Sequence, residues 1–206
     1  MSGGPPVAHG EISARERILA AAGDHFAEQG FDGVSVADIA TASGTSTGLV
    51  YYHFKDKAAL YESVVREGLH LLEDTAVRAL GSDGRPIERI SAFVREYMAL
   101  LEGQPALMRL LIRSVTDVST PPPGHVLMRG ATTIDRLQAV IDEGIEQGEF
   151  RQTDSHLAAT ALFALVNTLI TTRVLETPLG GDFGDLVEVR AEFMTELFLR
   201  GVSACS

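Results

Sequence analysis

The sequence predicts an all-α protein of about nine helices. Apolar residues recur every three or four positions through most of its 206 residues, which is the period of a helix with one buried face. Neither strand-like alternation of apolar and polar residues nor an internal repeat stands out. Serine, aspartate, glycine and proline mark where the individual helices begin and end.

The first helix is expected to begin after Ser13, because Ser13 and Glu16 have the spacing of a capping box. Arg15 and Arg17 lie in its first turn, where they either reach a phosphate or face solvent. Gly30 ends the helix. Its buried stripe repeats every fourth residue, at Ile18, Ala22 and Phe26.

Two short helices follow, separated by a glycine turn. Ser35 and Asp38 form a capping-box-like start for a helix from about Val36 to Ala42. Gly44 tolerates a positive φ and turns the chain sharply. Ser46 then caps a second helix, expected over residues 47–54. This pair predicts a helix-turn-helix that reads DNA.

In such a motif the first residues of the second helix meet base edges, while neighbouring polar side chains hold phosphates. Small hydroxyl-bearing residues and a glycine suit close approach to bases, and tyrosine, histidine and lysine suit the backbone. One tyrosine of the pair at 51 and 52 is expected to pack its ring inside, with Tyr52 favoured as the phosphate contact. The predicted DNA contacts are Ser35, Thr45, Ser46, Thr47, Gly48, Leu49, Tyr51, Tyr52, His53, Lys55 and Lys57.

The stretch Y-Y-H-F-K-D-K-A-A-L, after that helix pair and a longer first helix, resembles the tetracycline-repressor-like (TetR/AcrR) family. The motif match covers about Ser13 to Leu71, and beyond it the likeness is one of length and helical pattern. Thr45 stands where the family usually has an apolar residue. Leu49 stands where many members have a threonine or serine that touches DNA, so it either meets a thymine methyl or packs inside.

The remaining chain predicts one long helix and five further ones. Asp56 is expected to cap a helix that reaches Leu80 and transmits a signal from the second domain to the first. The later helices are expected to start near Ile87, Ala106, His125, Leu157 and Leu186, with breaks at 81–86, 116–124 and 177–184. The expected domains are a disordered tail over 1–10, a DNA-binding domain over 11–71 and an effector-binding and dimerisation domain over 72–206.

The resemblance implies that the second domain binds a small molecule. Apolar and aromatic residues would line the pocket, polar ones would orient the ligand, and an apolar or amphipathic effector is expected. The pocket candidates are Tyr97, Met98, Leu101, Met108, Arg109, Ile112, Arg113, Asp117, His125, Phe163, Val166, Asn167 and Arg173.

The resemblance also implies a homodimer in which the last two helices pair with their copies as a four-helix bundle. These helices carry more apolar residues than one buried stripe needs, although they could equally be core helices. The interface candidates are Leu162, Leu165, Leu169, Phe193 and Leu197.

The formal net charge of −11 argues against a broad basic patch of the kind that binds nucleic acid non-specifically. Between residues 41 and 57, however, the only charged residues are Lys55, Asp56 and Lys57. The reading surface is therefore nearly free of the acid that dominates elsewhere. We expect modest, salt-sensitive DNA affinity.

An enzyme is not expected. Metalloprotease and phosphate-loop motifs are missing, and Glu67 and His70 form a single Glu-x-x-His pair where a di-iron bundle needs two. Cys205 lacks a partner at zinc-site spacing. The sequence predicts no cofactor and no metal. Without a long apolar run or a secretory signal, it also predicts a cytoplasmic protein.

Together these features predict a ligand-responsive repressor that binds a pseudo-palindromic operator as a homodimer and leaves it when a small molecule binds. Two alternatives stay open at this point. One is an activator or dual regulator with the same fold, and the other is a helical ligand-binding module that has lost DNA binding.

Overall fold

A computed structural model describes residues 12–116, 124–176 and 186–202, and within these ranges it gives only the backbone for 115–116, 124–129, 169–176, 186–192 and 194. The three ranges hold nine helices and no β-strand, which confirms the predicted fold class. The helices are α1 (Ala14–Gln29), α2 (Val36–Ala42), α3 (Thr47–His53), α4 (Lys57–Leu80), α5 (Pro86–Gly103), α6 (Pro105–Thr116), α7 (Gly124–Glu146), α8 (Ser155–Glu176) and α9 (Leu186–Val202).

The chain forms two compact units, Met1–Val64 and Val65–Ser206, which we call unit 1 and unit 2. The boundary falls inside α4, so this helix contributes its first two turns to unit 1 and the rest to unit 2. The functional bounds expected from the sequence, 11–71 and 72–206, stay a prediction.

In unit 1, α1 packs against α2 and α3, which also pack against each other. The predicted stripe of α1 is buried, and so are apolar residues of the two short helices, such as Ile39 and Val50. Phe26 lies against two further rings, with centroids 6.1 Å from Phe31 and 5.1 Å from Tyr61. These contacts stabilise α2 and α3, because helices of seven residues are not stable alone.

The ends of the short helices are fixed by the predicted caps. Ser35 and Asp38 form a complete capping box at the start of α2, and Ser13 does the same with Glu16 at α1. Gly44 has a φ of 64°, the left-handed conformation that the turn between α2 and α3 requires. The bounds of α2 agree with the prediction, and α3 ends one residue earlier than expected.

Unit 2 is built around α5, which contacts α6, α7, α8 and α9. The pair α7 and α8 and the pair α6 and α8 close the other sides of the core. Large side chains that are fully buried there include Ile90, Phe93, Leu110, Leu137, Ile141 and Leu162.

Polar contacts fix the ends of the unit 2 helices. Arg89 donates to the carbonyl oxygen of Leu80 at 2.7 Å and to the carboxylate of Glu143 at 2.6 Å, which joins the end of α4 to α7. Asp154 accepts from the backbone N–H of Leu157 and caps α8, as expected. The predicted loops at 116–124 and 177–184 lie almost wholly outside the described residues.

Candidate DNA-binding and effector sites

The candidate reading helix is α3. Ser46 caps it by accepting from the backbone N–H of Leu49 at 3.2 Å. Val50 in the helix and Phe54 just beyond it are both buried in unit 1. This buried side fixes the helix and leaves the opposite side exposed.

Four of the predicted DNA contacts lie together on the outward side of α3. Thr47 and Gly48 are exposed in the first turn, and each has a tyrosine four residues later on the same side of the helix. Tyr51 is 52% exposed and Tyr52 is 81% exposed. The expectation that one tyrosine would pack its ring inside is therefore wrong, because Val50 and Phe54 already fill that position.

Gly48 has open space around its α-carbon. A Cβ built there would have Ser46 Oγ, 3.9 Å away, as its nearest atom. Unit 1 itself therefore does not require a glycine at this position. Leu49 and His53 are half-buried, and neither of the two roles open for Leu49 is excluded.

Three predicted hydroxyl contacts are engaged within unit 1. Ser35 and Ser46 serve as helix caps. Thr45 Oγ1 lies 2.9 Å from Ser43 Oγ, which itself donates to the carbonyl oxygen of Ala40. A hydroxyl has one proton, so Thr45 donates to Ser43. These hydroxyls shape the turn, and their contact with DNA stays a prediction.

The cations around α3 differ in what they contact. Arg17 donates to the carbonyl oxygens of Ile12 at 2.9 Å and Ser43 at 3.4 Å, so its guanidinium is already engaged. The ammonium of Lys57 donates to the carbonyl oxygens of Phe31 at 2.8 Å and Val34 at 3.0 Å. Lys55 is exposed, and none of the described residues bonds to it.

The pocket candidates mostly lie on the inner faces of α5, α6 and α8. Arg113 is exposed, Asp117 lies outside the described residues, and only the backbone is described for His125 and Arg173. The side chains of Arg109, Ile112, Phe163 and Asn167 are half-buried, and those of Tyr97, Met98, Leu101, Met108 and Val166 are buried.

Three of these candidates form one cluster. Tyr97 and Phe163 have ring centroids 6.3 Å apart, and Asn167 donates to the carbonyl oxygen of Phe163 at 2.7 Å. Burial raises the pKa of the Tyr97 hydroxyl far above its usual range, and a hydrogen bond with Asn167 partly opposes that rise. The hydroxyl is therefore neutral at physiological pH and provides a polar but uncharged group inside an apolar core.

The prediction missed Phe93, which extends this cluster. Its ring centroid lies 5.1 Å from that of Tyr97, and its side chain is fully buried. The sequence did contain the signal, because Phe93 and Tyr97 are four residues apart and share one side of α5.

The predicted interface residues divide into two groups. Leu165, Phe193 and Leu197 are exposed large apolar residues, and Leu157 on α8 joins them. Leu162 needs a correction, because its side chain is fully buried in the core of its own chain and leaves no surface for a partner. For Leu169 only the backbone is described.

Glu67 and His70 are both exposed on α4. Among the described residues no three potential metal ligands lie together. Likewise, none of the described helices is long and apolar enough to cross a membrane.

Two family models match this chain. Residues 18–64 match the model for bacterial regulatory proteins of the TetR family, and residues 83–171 match a tetracyclin repressor-like C-terminal domain. The chain belongs to the TetR family. It is therefore a DNA-binding transcriptional regulator with an N-terminal helix-turn-helix.

Characterised TetR-family relatives are similar over most of their length. The chain is 26% identical over 140 residues to the transcriptional repressor KstR2 of Mycolicibacterium smegmatis, covering 68% of each chain. It is 24% identical over 162 residues to the fatty acid metabolism regulator of Bacillus subtilis, covering 77% of this chain and 82% of that one.

A solved structure shares the fold. The crystal structure of FadR from Bacillus subtilis in complex with stearoyl-CoA has a TM-score of 0.72 at 22% identity, covering 90% of this chain and 97% of that one.

Proposed function

We propose that this TetR-family regulator is a repressor that binds a pseudo-palindromic operator as a homodimer and is released by a small molecule with a long apolar body. The observation that carries the DNA-binding role is the exposed surface of α3, where Thr47, Gly48, Tyr51 and Tyr52 lie together. The similarity to KstR2, a transcriptional repressor, supports repression rather than activation.

Gly48 supports a role for this surface in close approach to DNA. Glycine in a helix is less stable than alanine by about 1 kcal/mol, and unit 1 has room for a Cβ at this position. Packing within unit 1 therefore does not explain the destabilising glycine. A binding partner that occupies the space of the missing Cβ would explain it. Base edges in the major groove are such a partner.

The exposed leucines and Phe193 on α8 and α9 support the homodimer. Large contiguous apolar surface is uncommon on a monomer and is typical of interfaces. A two-fold axis would place two α3 helices on successive major-groove faces, about 34 Å apart.

The Tyr97 cluster supports an apolar effector. A pocket formed among these residues would be lined by rings and methionine, with an uncharged hydroxyl and an amide, and would suit an acyl chain attached to a polar group. Because relatives include a fatty acid metabolism regulator and a stearoyl-CoA complex, we propose a long-chain fatty acyl-CoA as the effector class.

Effector and operator would oppose each other through α4, which is one continuous helix from Lys57 to Leu80. By linkage, each would weaken binding of the other by the same factor, typically about 5- to 150-fold. We further propose that the protein works in the cytoplasm and catalyses no reaction, since its relatives are regulators rather than enzymes.

Fluorescence anisotropy tests the DNA-binding role. Wild type should bind duplex from its own upstream region more tightly than a scrambled duplex at the same salt concentration. Gly48→Ala should be at least as thermally stable as wild type and should bind the upstream duplex more weakly, because a methyl group would meet the bases.

Gly23→Ala is the matched control for that experiment. Gly23 lies inside α1, and a Cβ there would meet Val64 Cγ1 at an ordinary 3.4 Å. This variant should keep wild-type affinity. Equal affinity of Gly48→Ala and wild type for the upstream duplex would contradict the assigned role of α3.

A titration of the DNA complex tests the effector class. Palmitoyl-CoA should release the duplex, whereas coenzyme A without an acyl chain should not. Asn167→Leu should raise the concentration needed for release while leaving DNA affinity without ligand unchanged. Release by coenzyme A alone, or no effect of palmitoyl-CoA at saturation, would exclude this class.

A further inference from the structure

Lys57 is the first residue of α4, and its side chain points back into unit 1. Its ammonium bonds to two carbonyl oxygens, those of Phe31 and Val34, and lies 4.4 Å from the centroid of the Phe31 ring. The side chain is half-buried. Two of its three N–H donors are therefore used inside the chain, and its charge faces an aromatic ring.

These bonds explain why a lysine is tolerated at the first position of α4, where the helix itself disfavours a positive charge. The N-terminus of a helix carries partial positive charge, so a lysine in the first turn is electrostatically unfavourable there. The loop between α1 and α2 offers compensation, because the carbonyl oxygens of Phe31 and Val34 need donors. Bonds to a charged group are the stronger kind.

The bond between Lys57 and Val34 joins the two sides of the helix-turn-helix. Val34 is the last residue before the cap of α2, and Lys57 is the first residue after the turn that follows α3. The bond from Lys57 to Val34 thus joins the two residues that flank segment 35–56. That segment is the whole helix-turn-helix.

Lys55, two residues earlier, provides the contrast. It lies just beyond the end of α3, is exposed, and donates a hydrogen bond to none of the described residues. The two lysines therefore carry the same charge next to the same helix, but only one has an ammonium that is not already engaged.

We propose that Lys57 is a positioning residue that holds the reading helix at its binding angle, and that Lys55 supplies the cation for a phosphate. This inference rests on the proposed operator binding. It assigns different roles to two lysines that the sequence pattern had treated as equivalent phosphate contacts.

The salt dependence of binding separates the two roles. Log affinity falls with log salt by about 0.9 for each phosphate contact, so a dimer that loses one contact per protomer should lose about 1.8 from its slope. Lys55→Met should show this reduced slope and weaker binding to operator and scrambled duplex alike. Lys57→Met should keep the wild-type slope.

Lys57→Met should instead lower the ratio of operator affinity to scrambled-duplex affinity. A fall of about 5- to 150-fold is expected, equal to the discrimination that one base pair provides. Measurements are made well below the melting temperature of each variant. Partial unfolding of the protein would weaken its binding to both duplexes equally and would leave the ratio of the two affinities unchanged. Lys57→Arg, which keeps charge and donors, should restore most of the ratio.

The outcomes distinguish this inference from the proposed function. A wild type without preference for its operator would overturn both. A wild type with that preference, together with a Lys57→Met slope reduced as far as that of Lys55→Met and an unchanged ratio, would overturn only the positioning role. If Lys57→Met does not fold, Lys57→Gln replaces it, since its uncharged amide can still donate hydrogen bonds.

Discussion

Unit 1 and unit 2 are stabilised in different ways. Unit 1 places two helices of seven residues each between fixed points: serine caps, a left-handed glycine, and cations bonded to loop carbonyls. Unit 2 uses helices of 12 to 23 residues whose long apolar faces pack around α5. The difference teaches that the reading surface depends on local geometry, whereas the effector region depends on how large side chains fill a core.

The largest effect should come from removing a central ring in each unit. Phe26 in unit 1 and Phe93 in unit 2 are both fully buried, so Phe26→Ala and Phe93→Ala are chemically matched. Each should cost about 3–5 kcal/mol of unfolding free energy. Phe26→Ala should also abolish operator binding, because α1 supports the short helices, while Phe93→Ala should mainly impair the response to palmitoyl-CoA.

Denaturant unfolding and anisotropy measure both results. The comparison between the units would break if Phe26→Ala bound operator with native affinity. It would also break if folded Phe93→Ala responded to palmitoyl-CoA as wild type does.

A smaller effect on stability is expected from replacing a helical glycine by alanine, and its sign should differ between the two units. In unit 2, a Cβ on Gly144 would clash with the ring of Phe150, which is itself buried. Gly144→Ala should therefore destabilise by about 1–3 kcal/mol. Gly23→Ala in unit 1 should stabilise by about 0.5–1 kcal/mol, because the site accepts a Cβ and alanine favours the helix.

Thermal unfolding of the two variants checks these signs. A Gly144→Ala protein as stable as wild type would mean that the Phe150 ring moves away at no cost. In that case, tight packing would not be what distinguishes unit 2.

The same contrast explains what the sequence could predict. The limits of α2 and the capping boxes at Ser13 and Ser35 depend on residues three or four apart, so local pattern was sufficient. The nine-helix fold followed from apolar periodicity. The motif from Tyr51 onward carried the family resemblance that the family models confirm.

The errors concern contacts between distant residues. The bonds of Lys57 reach carbonyls 23 and 26 positions away, and no pattern in the sequence indicates them. Leu162 and Leu165 both fit an apolar helix face, yet only the fold shows that one is buried and the other exposed. The expectation that the ring of Tyr51 or Tyr52 packs inside failed for a local reason, since Val50 and Phe54 already supply the buried side of α3.

The smallest effect should be the pH dependence of the Ser35–Asp38 cap of α2. Two hydrogen bonds from Ser35 hold the pKa of the Asp38 carboxyl below its usual value of 3.8, and the bond from the side chain has a larger effect than the bond from the backbone. A depressed folded-state pKa means that the ionised carboxylate stabilises unit 1 above pH 3.8 and that this contribution is lost as the pH falls through the folded-state pKa. Ser35→Ala should therefore lower the melting temperature at pH 7 and lower it less below pH 3.8.

Ser46→Ala is the control for that prediction. Ser46 caps α3 without a titratable partner, so its loss should cost about 1 kcal/mol at either pH. If the effect of Ser35→Ala did not shrink in acid, the carboxylate of Asp38 would have no stabilising role in the cap.

The central claim is that the exposed surface of α3 reads sequence as part of a homodimer. Selection from a pool of random-sequence duplexes by the purified wild-type protein tests it most directly, because the protein itself then chooses the sequence that it binds. We predict enrichment of two inverted half-sites with centres about 10 base pairs, or a whole multiple of that, apart. Selection that enriched no common sequence, or only a single half-site without a partner, would contradict the account.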